Sequence, residues 1–255
     1  MTPRILYEDN HLLAVLKPPG LLSQADAGGR PDLLNLCKEY IKTKYEKPGE
    51  VYLGLVHRLD LAVGGPMIFA RTSKAARRLA EQFRNRQTNK IYHAAVEGVW
   101  EEQEGELRDY TRKDARRRLA LPAAAGEDGA REAALEYRLL ARARVEKRRF
   151  NNLFIPEHGD GDWTSHPEQK KIEISLLEIR LLTGRFHQIR FQLSKRGHPL
   201  LGDVKYRSGC KLREGRIALE EVSLSFLHPV KKTPLVLEGP RRLQEVFAAL
   251  TETDS

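Results

Sequence analysis

The chain of 255 residues contains only two cysteines, Cys37 and Cys210, which stand far apart in the sequence. Two isolated cysteines provide neither a disulfide framework nor the closely spaced ligand pairs of a structural metal site. The sequence therefore predicts no metal site and favours a reducing compartment, with the cytoplasm as the default location.

Long hydrophobic runs are also absent near the N-terminus. The longest one there, Leu12 to Leu16, is far too short to cross a bilayer. Glu8 and Asp9 stand where a signal peptide would have an uninterrupted apolar segment. No membrane association is therefore expected.

The chain shows no internal repeat and no linker that would divide it. Its length suffices to bury a sizeable core in one large domain or two small ones, and we predict a single domain over residues 1–255. Residues 142–171 begin with a cluster of arginine and lysine and continue as an irregular segment that contains glycine and proline. This composition predicts a surface insertion there.

Basic residues exceed acidic ones. Forty-four Lys and Arg against 35 Asp and Glu give a formal net charge of +9 at pH 7. Such an excess favours a polyanionic partner. The alternative is that the charge serves only solubility.

Hydrophobic spacing predicts more strands than helices, which is an α+β pattern with mainly antiparallel pairing. The predicted strands cover Ile5–Tyr7, Leu12–Leu16, Val51–Val56, Pro66–Ala70, Ile91–Val99, Ala133–Leu139 and Ile172–Leu181, and a further hairpin is predicted around Ala218–Leu227. Helices are predicted over Leu33–Lys44, after a cap at Thr72 or Ser73, over Phe186–Lys195 and from Pro240. Residues 104–119 are charged and lack periodicity, so no element is predicted there.

Two segments carry candidate chemistry. The first, VHRLDLAVGG at residues 56–65, places a histidine, an arginine and an aspartate ahead of a Gly-Gly pair. The second contains HQIR at residues 187–190. On a helix, His187 and Arg190 would share one face, and Phe186 would lie on the other, core-facing side. The alternative for such a basic face is simple solvation.

Several sequence blocks then occur in a recognisable order. They are DNHLLAVLKPPGLLS at 9–23, HRLD at 57–60, KIYHAAVEG at 90–98, GRFHQIR at 184–190, GHPLLGDVKY at 197–206 and LSFLHP at 224–229. Together they resemble the RluA family of pseudouridine synthases. The resemblance extends from about residue 5 to residue 229.

The resemblance implies a fold and an activity. The fold would be a mixed, mainly antiparallel, bent β-sheet flanked by helices and loops, with a central basic cleft. The activity would be the isomerisation of uridine to pseudouridine in structured RNA, either ribosomal or transfer RNA, without a metal or organic cofactor. Since the chain starts almost directly on the catalytic part, no separate N-terminal RNA-binding domain is expected. A monomer is expected because no interface stripe is visible.

The resemblance also assigns catalytic roles to Asp60, Tyr92 and Arg190. A carboxylate acts as a nucleophile only while it is ionised. A guanidinium stays charged at any biological pH, so Arg190 placed beside Asp60 would keep that carboxylate ionised. Tyr92 could stack on the uracil ring, and its hydroxyl could relay a proton.

Three further residues are candidates for substrate binding. Arg58 could occupy the gap that the flipped base leaves or stack on displaced bases. Lys205 could contact a phosphate. His57 adjoins them, although a structural role is the alternative for it, as too few further ligands stand nearby for a metal site.

Structural roles remain open for the other site residues. Asp60 could cap a turn, Tyr92 could be a core strand residue, and Arg58 could be a surface charge. The sequence also departs from the family pattern: Val63-Gly64-Gly65 lacks a hydroxyl, Phe186 replaces a threonine, and Glu220-Glu221 replaces His-Ala. These departures bear on loop geometry and substrate choice.

Two other functions remain open. One is a catalytically inactive RNA-binding or ribosome-assembly protein on the same scaffold, which the intact set of Asp60, Tyr92 and Arg190 disfavours. The other is a His/Asp hydrolase acting on a small molecule. Such a hydrolase would need no basic groove, and its activity would be insensitive to salt.

Overall fold

The computed structural model describes residues 2–146, 162–163, 171–212 and 215–251. The strands are β1 (Arg4–Glu8), β2 (Leu12–Lys17), β3 (Gly54–Leu55), β4 (Gly65–Ala70), β5 (Asn89–Glu97), β6 (Glu104–Asp114), β7 (Leu119–Pro122), β8 (Arg131–Glu146), β9 (Asp162–Trp163), β10 (Lys171–Leu181), β11 (Cys210–Lys211), β12 (Leu219–Leu227) and β13 (Pro234–Glu238). The helices are α1 (Leu33–Lys44), α2 (Ser73–Arg84), α3 (Gln188–Lys195) and α4 (Arg242–Thr251), and Val204–Tyr206 form a short 3₁₀ helix.

The chain forms two compact units, each built from two stretches of sequence. Residues 1–90 and 221–240 make the first unit, and residues 91–220 and 241–255 make the second. The predicted α+β class is confirmed. The assignment of residues 1–255 to one domain and the central basic cleft stay predictions.

The first unit contains a four-stranded antiparallel sheet in the order β1-β2-β4-β3. The apolar residues of β2 and β4 pack with Ala75 and Leu79 of α2 and with Leu224 and Phe226 of β12 in one buried cluster. Thr72 caps α2, since its hydroxyl oxygen accepts a hydrogen bond from the Ala75 N–H at 3.2 Å. The core of this unit therefore uses residues from both ends of the chain.

The second unit contains antiparallel strands in the order β5-β10-β8-β6-β7. The register of β10 against β8 shifts between Leu176 and Leu177. This bulge explains why the apolar alternation in the sequence changes parity at that point. Residues 142–146 continue strand β8. Apart from β9 and Lys171, the rest of the predicted 142–171 insertion lies outside the described residues.

Strand β6 occupies the stretch for which no element was predicted. Its burial alternates, with Leu107, Asp109 and Thr111 facing inward. Asp109 accepts hydrogen bonds from Lys195 at 2.6 Å and from Gln192 and Arg196 at 2.9 Å. Because two of the three inward positions are polar, the strand shows no hydrophobic period in the sequence.

The Glu220-Glu221 pair lies at two buried positions. Glu220 accepts a hydrogen bond from the Leu243 N–H at 2.9 Å near the start of α4, and burial raises the pKa of Glu220 to about 7. Gly65 has a φ of +150°, and a Cβ there would lie 2.6 Å from the Cβ of Glu221. Only glycine therefore fits at position 65.

Other predicted bounds shift. Strand β3 keeps only two of the six residues predicted for Val51–Val56, and the last helix begins at Arg242 instead of Pro240. Among the residues that the structure describes, none of the helices has the length and apolar character that crossing a bilayer requires.

Candidate active site

Asp60 lies in a hydrogen-bonded turn between β3 and β4. The Val63 N–H donates to the Asp60 carbonyl at 3.1 Å, and the Ala62 N–H donates to the Asp60 Oδ1 at 3.3 Å. The side chain is partly buried. The turn therefore fixes both the main chain and one carboxylate oxygen of Asp60.

A buried lysine adjoins this turn. Lys17, only 1% exposed, donates through its Nζ to the carbonyls of Leu21 at 2.7 Å, Pro18 at 3.0 Å and Leu61 at 3.3 Å. Burial lowers the pKa of Lys17 to about 8, and the negative charge of Asp60 opposes that shift. Sequence reasoning missed this residue. Its position in the KPPG part of the first family block was the available signal.

The backbone ahead of Asp60 is anchored by Ser23. The Ser23 hydroxyl donates to the Leu59 carbonyl at 2.9 Å and accepts from the Leu59 N–H at 3.2 Å. Arg58 is exposed beside this buried anchor. Its side chain is therefore available to an external ligand, as the substrate-binding prediction requires.

His57 has the contacts of a structural residue. Its Nε2 accepts a hydrogen bond from the Ile68 N–H at 3.0 Å, and its ring stacks on Phe83 with centroids 4.7 Å apart. Desolvation lowers the pKa of His57 to about 3, and the positive charge of Lys90 acts in the same direction. The ring is therefore neutral, and the Ile68 bond places its proton on Nδ1. These contacts favour the structural alternative over substrate binding.

Arg190 is anchored inside the second unit. Its Nε and Nη2 donate to Oδ2 and Oδ1 of Asp203, both at 2.7 Å, in a two-bond ion pair. Arg190 is 7% exposed and Asp203 1% exposed. A guanidinium held at two points has a fixed orientation, which a role in positioning another charged group requires.

The faces of the HQIR segment differ from the prediction. Helix α3 begins at Gln188 because His187 has a φ of 51°, so the chain turns before the helix starts. Arg190, predicted on the face away from the core, is buried, whereas Phe186, predicted on the core-facing side, is 37% exposed. Two further polar residues of the helix, Gln188 and Gln192, are also buried. The Gln188 side chain donates a hydrogen bond to the Ala134 carbonyl at 3.0 Å, and the Gln192 side chain donates one to the Asp109 carboxylate. Helix α3 is therefore buried nearly all round.

The remaining predicted residues lie in the second unit. Tyr92 is on β5, opposite Ile179 of β10, and is 6% exposed. Lys205 is exposed in the 3₁₀ helix, and its contact with a phosphate stays a prediction. Asp60 belongs to the first unit, so its convergence with Arg190 and Tyr92 stays a prediction.

The part of the chain that the structure describes contains no candidate metal-binding site. There, no group of three or more His, Cys, Asp or Glu side chains is arranged to hold a metal ion.

Comparison with known proteins places the chain in a family. Residues 11–195 match the sequence family described as RNA pseudouridylate synthase. The dual-specificity RNA pseudouridine synthase RluA of Vibrio parahaemolyticus is 33% identical over 88% of this chain and 78% of the relative. The ribosomal large subunit pseudouridine synthase D of Xylella fastidiosa is 32% identical over 97% of this chain and 69% of the relative.

A solved structure shows the same fold. The human RNA pseudouridylate synthase domain containing 4 superposes with a TM-score of 0.69 at 22% identity, over 97% of this chain and 92% of that one. The family, fold class and reaction class predicted from the sequence blocks are confirmed. The chain belongs to the RNA pseudouridylate synthase family.

Proposed function

We propose that this chain isomerises uridine to pseudouridine in structured ribosomal or transfer RNA, with Asp60 as the catalytic aspartate. The observation that carries this proposal is the environment of Asp60, which a turn holds next to the buried ammonium of Lys17 inside the family-matched region. The net charge of +9 suits an RNA substrate. The names of the bacterial relatives support ribosomal RNA as one substrate class.

The reaction rearranges the bonds of the nucleoside and leaves its atomic composition unchanged. The bond between N1 of uracil and C1′ of the sugar breaks, the base rotates, and a bond forms between C5 and C1′. C5 then loses its proton, and N1 gains one. The Asp60 anion would capture or stabilise the positive charge that develops at C1′ as the first bond breaks.

The neighbouring residues have separate roles in this proposal. Arg190, fixed by Asp203, would hold Asp60 ionised. Tyr92 would stack on the uracil and carry the proton away from C5. Arg58, which is exposed, would fill the gap left by the flipped base, and Lys205 would bind a phosphate.

The proposal predicts how the reaction rate depends on pH, because Lys17 titrates near Asp60. We expect the single-turnover rate to fall as the pH rises through about 8, since a neutral Lys17 amine has only two N–H donors for its three carbonyl partners, and the turn that holds Asp60 then loses one of its bonds. Below that pH the ammonium is present, and above it the charge is lost. Lys17→Met should react slowly and lack this alkaline fall.

The control for this profile is Lys74→Met, which removes an exposed lysine of the same unit and should keep the wild-type profile. All variants receive the same RNA, so titration of the uridine itself affects each profile equally. An identical alkaline fall in wild type and Lys17→Met would exclude Lys17 as its source.

The proposal also covers partners and location. We propose a monomer that acts in the cytoplasm on RNA, without a metal ion. Gel filtration with light scattering, with and without RNA, tests the oligomeric state.

A map of pseudouridine at single-nucleotide resolution tests the function. RNA from cells with and without the protein is compared. We expect one or a few uridines to be modified only when the protein is present. If the protein binds RNA and the two maps are identical, the inactive RNA-binding alternative replaces the proposal. Activity on a small molecule that does not change with salt would support the hydrolase instead.

A further inference from the structure

An exposed aromatic ring lies beside the anchored arginine of the second unit. Phe186 is 37% exposed, and its ring stacks on His187 with centroids 3.8 Å apart and planes 18° apart. The Nζ of Lys113 lies over the Phe186 ring, 4.8 Å from its centroid. The ring is thus supported by an imidazole and also contacts the ammonium of Lys113.

His187 is itself held in place. Its Nδ1 lies 3.0 Å from the Tyr206 hydroxyl, and its Nε2 lies 3.2 Å from Nη1 of Arg190. The Tyr206 hydroxyl also accepts a hydrogen bond from the Ala120 N–H at 2.7 Å. Phe186 therefore rests on a fixed network, and one stacked ring separates it from the guanidinium of Arg190.

The turn between β6 and β7 adds positive charge next to Lys113. It contains Arg116, Arg117 and Arg118, all exposed, which we call the arginine tip. Only Arg117 has a carboxylate neighbour among the described residues, Asp114 at 3.9 Å. Exposed cations without carboxylate partners are available to phosphates.

We propose that Phe186 is a stacking platform for a nucleotide base that flanks the target uridine, and that Lys113 and the arginine tip bind the adjoining phosphates. This inference rests on the proposed function. Bases of every kind stack on an aromatic face, so the platform suits a single-stranded RNA loop. The base would displace the ammonium of Lys113 from the ring, and the ammonium would then pair with a phosphate.

The platform gives Phe186 a part in substrate selection. Enzymes that act on a flipped base choose their sequence context partly through contacts to the flanking nucleotides. A network that joins Phe186 to Arg190 would fix the flanking base relative to the proposed catalytic guanidinium. Stacking strength differs between bases, so Phe186 would favour some neighbours of the target uridine over others.

The test measures stacking directly. The probe is a stem-loop RNA whose single-stranded loop contains uridines flanked by 2-aminopurine, a base whose fluorescence is quenched by stacking. Asp60→Asn protein serves as the parent so that the probe is not consumed. We expect the parent to quench the fluorescence. Phe186→Leu, which keeps an apolar side chain without an aromatic face, should abolish quenching and weaken binding about 5- to 100-fold.

Matched variants separate stacking from other effects. Phe186→Trp should keep the quenching. Tyr110→Leu removes an exposed aromatic residue on the opposite face of β6 from Lys113 and should change nothing. A plot of the logarithm of the binding constant against the logarithm of the salt concentration has a negative slope. Lys113→Gln should make this slope less steep by about 0.7, the value for one phosphate contact on single-stranded RNA. Circular dichroism checks folding, and Phe186→Met supplies a second ring-free variant should Phe186→Leu not fold.

The outcomes distinguish the two proposals. Quenching by the Phe186→Leu protein equal to that of its parent overturns the platform and leaves the proposed function standing. Absence of RNA binding by both the wild type and the parent removes the proposed function and the platform together. Binding and quenching without isomerisation by the wild type would remove the proposed activity alone, and the platform would stand.

Discussion

Replacement of Asp60 by asparagine is expected to lower the rate of pseudouridine formation by at least about 10⁴-fold, as is typical when a catalytic carboxylate or nucleophile is removed. The asparagine amide carries no charge, so it can neither attack C1′ nor stabilise positive charge there. Its Oδ1 can still accept from the Ala62 N–H, so the turn should persist. The rate is measured as the release of tritium from C5 of labelled uridine in RNA under single-turnover conditions.

The control is Asp26→Asn, which removes a partly exposed carboxylate of the same unit that pairs with Arg30 at 2.6 Å. It should leave the rate unchanged. RNA binding by Asp60→Asn should stay within a few-fold of wild type, because the substitution removes a negative charge from a protein that binds a polyanion. Turnover by Asp60→Asn close to the wild-type rate would assign the chemistry to another residue.

Replacement of Asp203 by asparagine is expected to lower the free energy of unfolding by about 3–5 kcal/mol, since it leaves the Arg190 guanidinium buried without its counter-charge. Both carboxylate oxygens of Asp203 accept from Arg190 at 2.7 Å. Asparagine offers one acceptor and one donor, so one of the two bonds becomes a contact between two donors. Urea denaturation of wild type and variant measures the loss.

The control is Glu136→Gln, which alters a partly exposed carboxylate paired with Arg180 in the same unit. Exposed pairs contribute about 0–1 kcal/mol to the free energy of unfolding, so the effect of this substitution should be small.

The reaction rate of Asp203→Asn provides a second test. If Arg190 positions Asp60, then Asp203→Asn should lower the turnover rate with little change in RNA affinity. A loss of stability with wild-type turnover would give Arg190 a structural role only.

The reaction class could be predicted because several short motifs that resemble those of one family are present in this sequence. HRLD, GRFHQIR and GHPLLGDVKY occur in a fixed order, and this order is sufficient to indicate the family. Strands with strong apolar alternation, such as β8 and β10, were also predictable.

Hydrophobic periodicity did not predict the structure correctly where polar side chains are buried. Strand β6 buries Asp109 and Thr111, and α3 buries two glutamines and an arginine, and each of these residues forms a hydrogen bond with a specific partner. A pattern that separates polar from apolar residues cannot predict such positions, because only the three-dimensional partners make them favourable. Hydrophobic periodicity could not predict the burial of Lys17 against three carbonyls for the same reason, and only its position in the first family block drew attention to it.

The discontinuous first unit has a consequence for synthesis on the ribosome. Its buried cluster requires Leu224, Phe226 and Leu237, although most of the unit lies before residue 91. A nascent chain that has just emerged as far as α2 therefore leaves part of this apolar surface uncovered until residues 224–237 are translated. Truncation after residue 220 should consequently unfold the very segment that contains Asp60, and folding of this unit cannot be completed from its N-terminal part alone.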